Sequence, residues 1–245
     1  MFYMISGFSE QWQCPAGEWA VWAPDATTKE AMRTAPDQDV CTSYVQADHL
    51  RSGIDGEACT RRLVFTTFTI HDVFDRTIVE SVFTEFVRAH GVFHTAFPVS
   101  AAPDPRGRTL SPEQIDLAVE ATSETHPGDT VKDYLMANVP ELHDWAAFAF
   151  AVTGVENARP GAVEPHFQVV VCSDHLYTDG VSQAVSFFEL VSRYTAARSG
   201  APYTPVPVRP HREFTREQRT LAATLTPTHP DVVQWRETLR RSGGM

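Results

Sequence analysis

The chain has 245 residues, 42% of them apolar, and a formal net charge of −11. That is enough apolar material for a folded core, and the acidity argues against general nucleic-acid binding, which needs clustered cations facing phosphates. No apolar run reaches the length of a membrane span, and the opening MFYMISGFSEQWQC lacks the basic start and long apolar middle of a signal peptide. The four cysteines, Cys14, Cys41, Cys59 and Cys172, form no CxxC pair and match no zinc spacing. The expectation is a cytoplasmic protein with reduced thiols and no metal.

In chain order, RRLVFTTFTI (61–70) is rich in β-branched and aromatic residues and reads as a strand. FDRTIVESVFTEFVRAHG (74–91) places Ile78, Val82, Phe83 and Phe86 at helical spacing, with Gly91 as a stop. VFHTAF (92–97) and EQIDLAVEA (113–121) are further strand candidates, separated by a polar, proline-rich loop. GDTVKDYLMANVP (128–140) reads as a short helix opening at Asp129, and DWAAFAFAVTGV (144–155) as a long apolar strand. HFQVVVCSDH (166–175) is apolar through its centre, as expected of a strand in mid-sheet or covered on both faces. VSQAVSFFELVSRYTAA (181–197) repeats apolar residues at Val181, Val185, Phe188 and Val191 or Ser192, which predicts a buried helix.

Charge and composition change near residue 198. From Arg198 onward eight arginines face four acidic residues, a net of +4 against −15 in the preceding part. The expected division is therefore a lobe over 1–197 and a second segment over 198–245. That segment begins with the proline-rich, extended stretch 198–215 and continues as helices near 215–224 and 230–241.

The stretch CSDHLYTDGVS (172–182) joins the most apolar strand to that long helix. Strand-to-helix turns hold side chains on rigid elements while leaving them accessible. His175 is the residue there that both accepts and donates a proton near neutral pH. Asp179 can pair with a cation or accept backbone N–H groups, Gly180 permits close approach or a positive φ, and Ser182 can cap the helix. A plainer reading stays open: His175 is a satisfied histidine at a strand end and Asp179 an N-cap. A metal site on His175 and Asp179 has no second ligand pair at matching spacing. The chain has no GxSxG nucleophile turn.

Asp174-His175-Leu176-Tyr177-Thr178-Asp179-Gly180 resembles the HHxxxDG signature of the condensation-domain superfamily of acyltransferases, with Asp174 in place of the first histidine. That superfamily includes chloramphenicol acetyltransferase, condensation domains of nonribosomal peptide synthesis, and the actinobacterial polyketide-associated acyltransferases. VRAHGVFHTAF (87–97) is similar to the family's RHxxLRTxF element, with His90 and Thr95 in place and His94 where arginine is usual. SYVQADHLR (43–51) and VVQWRETLRRSGGM (232–245) are similar to elements of the polyketide-associated group.

The resemblance implies an α/β two-layer sandwich of the chloramphenicol-acetyltransferase type, a mixed sheet with helices, forming the N-terminal half of a two-lobed fold. A parallel doubly wound sheet is the alternative fold. It implies acyl transfer from a carrier-protein or coenzyme A thioester to a small-molecule amine or hydroxyl acceptor, in natural-product or lipid biosynthesis. His175 would be the general base, with Asp174, Asp179, Gly180 and Ser182 shaping the turn, and no cofactor beyond the phosphopantetheine or coenzyme A thioester of the substrate. Family members are about twice this length, so the C-terminal half, including the arginine that pairs with Asp179, is expected on another chain or in a longer precursor. The alternative function is a non-catalytic docking module, or one part of a split enzyme.

Overall fold

The computed structural model describes residues 4–8, 12–38, 40–54, 63–97, 107–141 and 144–243. Cys59, the first two residues of the 61–70 strand, most of the proline-rich loop at 98–106 and the final Gly244-Met245 lie outside the described residues.

The core is one six-stranded sheet of β1 (Met4–Phe8), β2 (Trp19–Pro24), β3 (Leu63–Ile70), β6 (Leu117–Thr122), β7 (Phe148–Thr153) and β8 (Phe167–Asp174), in the order β1-β3-β8-β7-β2-β6. Two short strands, β4 (Thr95–Ala96) and β5 (Arg108–Thr109), pair separately. All five pairings of the large sheet are antiparallel. The expected α/β architecture of a sheet packed with helices is present, then, but on an antiparallel sheet where a mixed one was expected and with helices on both faces, and the doubly wound alternative is excluded. Antiparallel neighbours need only short returns, such as residues 154–166 between β7 and β8.

Strand alternation separates two apolar layers. Phe148, Phe150 and Val152 of β7 and Phe167, Val169 and Val171 of β8 face one layer, while Ala149, Ala151, Val170 and Cys172 face the other. The first layer is covered by α3 (Arg76–Ala89) and α5 (Gly180–Ser199), through Val79, Val82, Phe83 and Phe86 of α3 and Phe187, Leu190 and Tyr194 of α5. The second is covered by Trp12 and by α4 (Val131–Asn138). This double cover is why β8, third in the sheet, carries an unbroken apolar centre.

The sequence expectations for β3, α3, β8 and α5 match closely. Others shrink. Residues 92–97 form a 3-10 turn, Gly91–His94, followed by two strand residues, because the His94 ring bonds back to the Val87 carbonyl at 2.9 Å and curls the chain. The 113–121 segment begins with a capped 3-10 turn and becomes strand only at Leu117. The 128–140 helix starts at Val131 behind a Thr130–Asp133 capping box, not at Asp129. The 144–155 strand narrows to β7. Four described elements of the first 54 residues were not anticipated as strand or helix: β1, β2, α1 (Ala26–Thr34) and α2 (Tyr44–Ile54).

Beyond α5 the chain runs extended to α6 (His211–Thr224) and then α7 (Pro230–Arg241). α6 begins four residues earlier than expected and is clamped to the start of α2. The Tyr44 N–H donates to Gln218 at 3.0 Å, and Arg219 donates to the Thr42 carbonyl at 3.2 Å while lying over the Tyr44 ring. His211 donates to the Gln46 side-chain oxygen at 3.1 Å. No helix among the described residues is long and apolar enough to cross a membrane.

Burial pushes both the His94 and His211 imidazoles below their ordinary 6.5. The unfolded chain therefore takes up these protons first as acid is added, so their contribution to stability is complete above about pH 6.5 and declines as the pH falls below it. Urea unfolding should show a midpoint that falls between pH 7 and pH 5.5, and His94→Gln should flatten that slope. An unchanged midpoint across this window would contradict the assignment.

Candidate active site

β8 ends at Asp174, residues 175–177 form a turn, and α5 starts at Gly180. The expected strand–turn–helix geometry is present. Within the turn the side chains divide sharply: Asp174, Leu176 and Tyr177 are buried, and His175 is exposed.

Burial of the neighbours fixes the backbone under His175. The Asp174 N–H donates to the Ala147 carbonyl at 2.8 Å, which continues the sheet into β7. The Asp174 carboxylate accepts the Leu176 N–H at 2.8 Å, and the Asp174 carbonyl accepts the Tyr177 N–H at 3.0 Å. Leu176 joins the core beside Tyr177, whose ring packs on Phe93 and Phe148. Burial drives the Tyr177 hydroxyl far above its usual range, so it stays protonated.

The helix α2 supplies two further ties. Gln46 donates to the Leu176 carbonyl at 3.0 Å, and His49 Nε2 lies 2.8 Å from Asp174 Oδ1. Gln46 is itself fixed by a reciprocal capping box with Ser43, at 3.0 and 3.1 Å. Neither His49 nor Gln46 was singled out from the sequence. The legible signal was the S-x-x-Q spacing of Ser43-Tyr44-Val45-Gln46 inside the 43–51 stretch. The His49 and His175 rings lie 6.2 Å apart between centroids.

Asp179 is the N-cap of α5: its carboxylate accepts the Ser182 N–H at 2.7 Å. That bond, opposed by partial burial and helped by the Ser182 hydroxyl, holds the Asp179 carboxyl below its usual range. The capping side chain is therefore that of Asp179 and not that of Ser182, whose N–H it receives. Among the described residues no arginine forms an ion pair with Asp179. Gly180 requires a correction: its φ is not positive, and a Cβ built there meets nothing within 4 Å. Neither backbone conformation nor packing among the described residues demands glycine. No group of three or more possible metal ligands occurs among the described residues.

The buried stripe expected on α5 also lies elsewhere. Gln183, Phe187, Leu190, Arg193 and Tyr194 face the core, while Val181, Val185 and Phe188 are 74%, 48% and 67% exposed. Periodicity reveals an apolar stripe but not what covers it. Two members of the true inner face are polar. Arg193 bonds Glu189 at 2.7 Å, and Glu189 in turn lies 2.8 Å from His90 at the end of α3. Burial works to raise the Glu189 carboxyl, but His90 and Arg193 outweigh it and hold it low. His90 therefore joins α3 to α5, behind the turn.

No family model matches the chain. Among curated proteins it is 25% identical over 237 residues to acyltransferase PapA3 of Mycobacterium tuberculosis, covering 94% of this chain and 48% of that protein. It is 24% identical over 237 residues to the 2'-acyl-2-O-sulfo-trehalose (hydroxy)phthioceranyltransferase PapA1 of Mycobacterium bovis, covering 92% and 43%. Among solved structures, a PapA2 acyl transferase superposes with a TM-score of 0.78 at 24% identity, over 96% of this chain and 50% of the other. The starter condensation domain of rhizomide synthetase shares the fold at a TM-score of 0.56 and 12% identity, over 75% and 45%. The chain spans about half the length of the curated relatives it matches. The chain is thus similar along nearly its whole length to these acyltransferases and shares the fold of the condensation domain.

Proposed function

We propose that the chain is the histidine-bearing half of an acyltransferase that moves an acyl group from a carrier-protein or coenzyme A thioester to a hydroxyl acceptor. The observation that carries this reading is the turn itself: His175 projects to solvent from a segment whose other side chains are locked into the core. An imidazole so placed can meet a substrate without the cost of ordering the loop beneath it.

In the proposed step, one ring nitrogen of His175 takes the proton of the acceptor hydroxyl as its oxygen attacks the thioester carbonyl. A C–O bond forms, and the carbonyl π electrons move to oxygen. Collapse of this tetrahedral species breaks the C–S bond, and the departing thiolate recovers the proton from His175. Atoms and charge balance with the thioester as the only co-reactant, so the reading calls for no cofactor. The names of the relatives, one of which includes a sulfated trehalose, favour a sugar hydroxyl over an amine.

The same reading accounts for two features that this chain alone leaves unexplained. Gly180 opens space at the start of α5, where an approaching acyl or acceptor group would pass. The stripe of Val181, Val185 and Phe188 is suited to a second lobe, on another chain or in a longer precursor. An apolar face of this kind is unusual on a free surface.

Two outcomes are expected in the full-length protein. With octanoyl-coenzyme A as donor and trehalose or 2-O-sulfo-trehalose as acceptor, His175→Ala should lower transfer about 10²–10⁴-fold, with the melting temperature unchanged. Transfer at the wild-type rate by that variant would remove His175 from the chemistry, and carrier binding without any turnover by the wild type would favour the docking-module reading. Gly180→Ala should keep or raise folding stability by up to about 1 kcal/mol while lowering transfer. Undiminished transfer would show that nothing passes this point.

A further inference from the structure

A histidine that takes a proton at one ring nitrogen carries hydrogen on the other, and that N–H needs an acceptor to hold the ring in one tautomer and orientation. Among the described residues no hydrogen bond is formed by the His175 ring. The imidazole ring beside it is that of His49, 6.2 Å away between centroids and tilted by 54°.

His49 is strongly oriented. Its Nε2 lies 2.8 Å from Oδ1 of Asp174, and the Asp174 side chain is fully buried while that of His49 is 17% exposed. A carboxylate oxygen accepts, so Nε2 of His49 is the donor in this contact, and in that tautomer Nδ1 is the ring's acceptor. The pairing of a buried carboxylate with an imidazole is the arrangement by which a carboxylate fixes the tautomer of a working histidine. Asp174 also accepts the Leu176 N–H, so the same carboxylate that shapes the turn under His175 sets the ring of His49 beside it. A centroid separation of 6.2 Å is too long for a direct bond between the rings. It suits one water, at about 2.8 Å from a nitrogen of each.

We propose that His49 is a positioning residue for His175: aligned by Asp174, it accepts through one water the N–H of His175 and leaves the opposite nitrogen of His175 free to take the acceptor's proton. The polarity is consistent along the chain, from the His175 N–H to the water, from the water to Nδ1 of His49, and from Nε2–H of His49 to the Asp174 carboxylate. This also gives Asp174 a purpose at the position where the resembling signature carries its first histidine. The imidazole is supplied from α2, and the motif supplies the carboxylate that holds it.

The inference rests on the acyl-transfer reading for its catalytic consequence but not for its geometry, so two readouts on the full-length protein keep them apart. The first is nitrogen NMR of ¹⁵N-histidine-labelled protein, which reports the tautomer of each ring without any substrate. Wild-type His175 should populate one tautomer, His49→Ala should convert it to a mixture, and His49→Gln should restore it, because a glutamine amide can donate to Asp174 and accept from the water. The second is steady-state transfer from octanoyl-coenzyme A to 2-O-sulfo-trehalose. There His49→Ala should lower kcat at least tenfold with both KM values within twofold, and His49→Gln should recover most of the loss. A His175 tautomer indifferent to His49→Ala, or a loss spread equally over kcat, both KM values and the melting temperature, would overturn the proposal. The expected tautomer changes in a protein without transfer activity would count against the acyl-transfer reading and leave the pairing in place.

Discussion

A carboxylate with no solvent exposure sits at the end of the sheet's third strand, and the site is arranged around satisfying it. Burying a charged group costs several kcal/mol unless hydrogen bonds replace its water. Asp174 meets this demand from two directions, with the N–H of Leu176 within its own turn and the ring of His49 from α2. Each bond has a structural consequence. The first folds the chain back immediately after β8, so that Leu176 and Tyr177 enter the core and His175 is left outside. The second binds α2 to the motif, and Gln46 adds a tie to the Leu176 carbonyl from one turn earlier in the same helix.

The supports extend outward from there. Gln46 receives His211 at the start of α6, and α6 is held to residues 42–44 by Gln218 and Arg219. The arginine-rich segment that begins at residue 198 thus returns to brace the helix that braces the motif. On the other side of α5, the His90–Glu189–Arg193 series locks that helix to α3, and Arg193 lies over the ring of Tyr203 in the extended connection. Asp179 then caps α5 and fixes where the helix begins. The exposed histidine stands on a platform tied to four helices, α2, α3, α5 and α6, and a central strand.

How much of this was readable from the sequence follows the range of the interactions involved. β8 and the helix after it were legible because a continuous apolar run and a three-to-four-residue repeat are local signals. The N-cap reading of Asp179 was legible for the same reason, since an N-cap and the N–H it receives are three residues apart. The contact between His49 and Asp174 spans 125 residues, and no local pattern announces it. The inner face of α5 was misassigned because Val181, Val185 and Phe188 form an apolar stripe of their own, while the face that is buried includes the polar Gln183 and Arg193 beside Phe187, Leu190 and Tyr194. Tertiary partners, not hydropathy, decide that face. The short β4 was overestimated for a related reason: β-branched and aromatic composition favours a strand, but the bond from His94 to the Val87 carbonyl imposes a turn.

The exposed stripe on α5 and the open space at Gly180 lie at the same end of the helix as His175, so a partner lobe and a substrate would approach the motif along one surface. The most direct test of the account is a crystal structure of the full-length protein bound to a non-hydrolysable analogue of an acyl thioester. The account predicts the analogue's carbonyl group within hydrogen-bonding reach of the His175 ring, with Val181, Val185 and Phe188 covered by protein or acyl chain. An analogue bound away from the 174–180 turn, with His175 still facing open solvent, would contradict it.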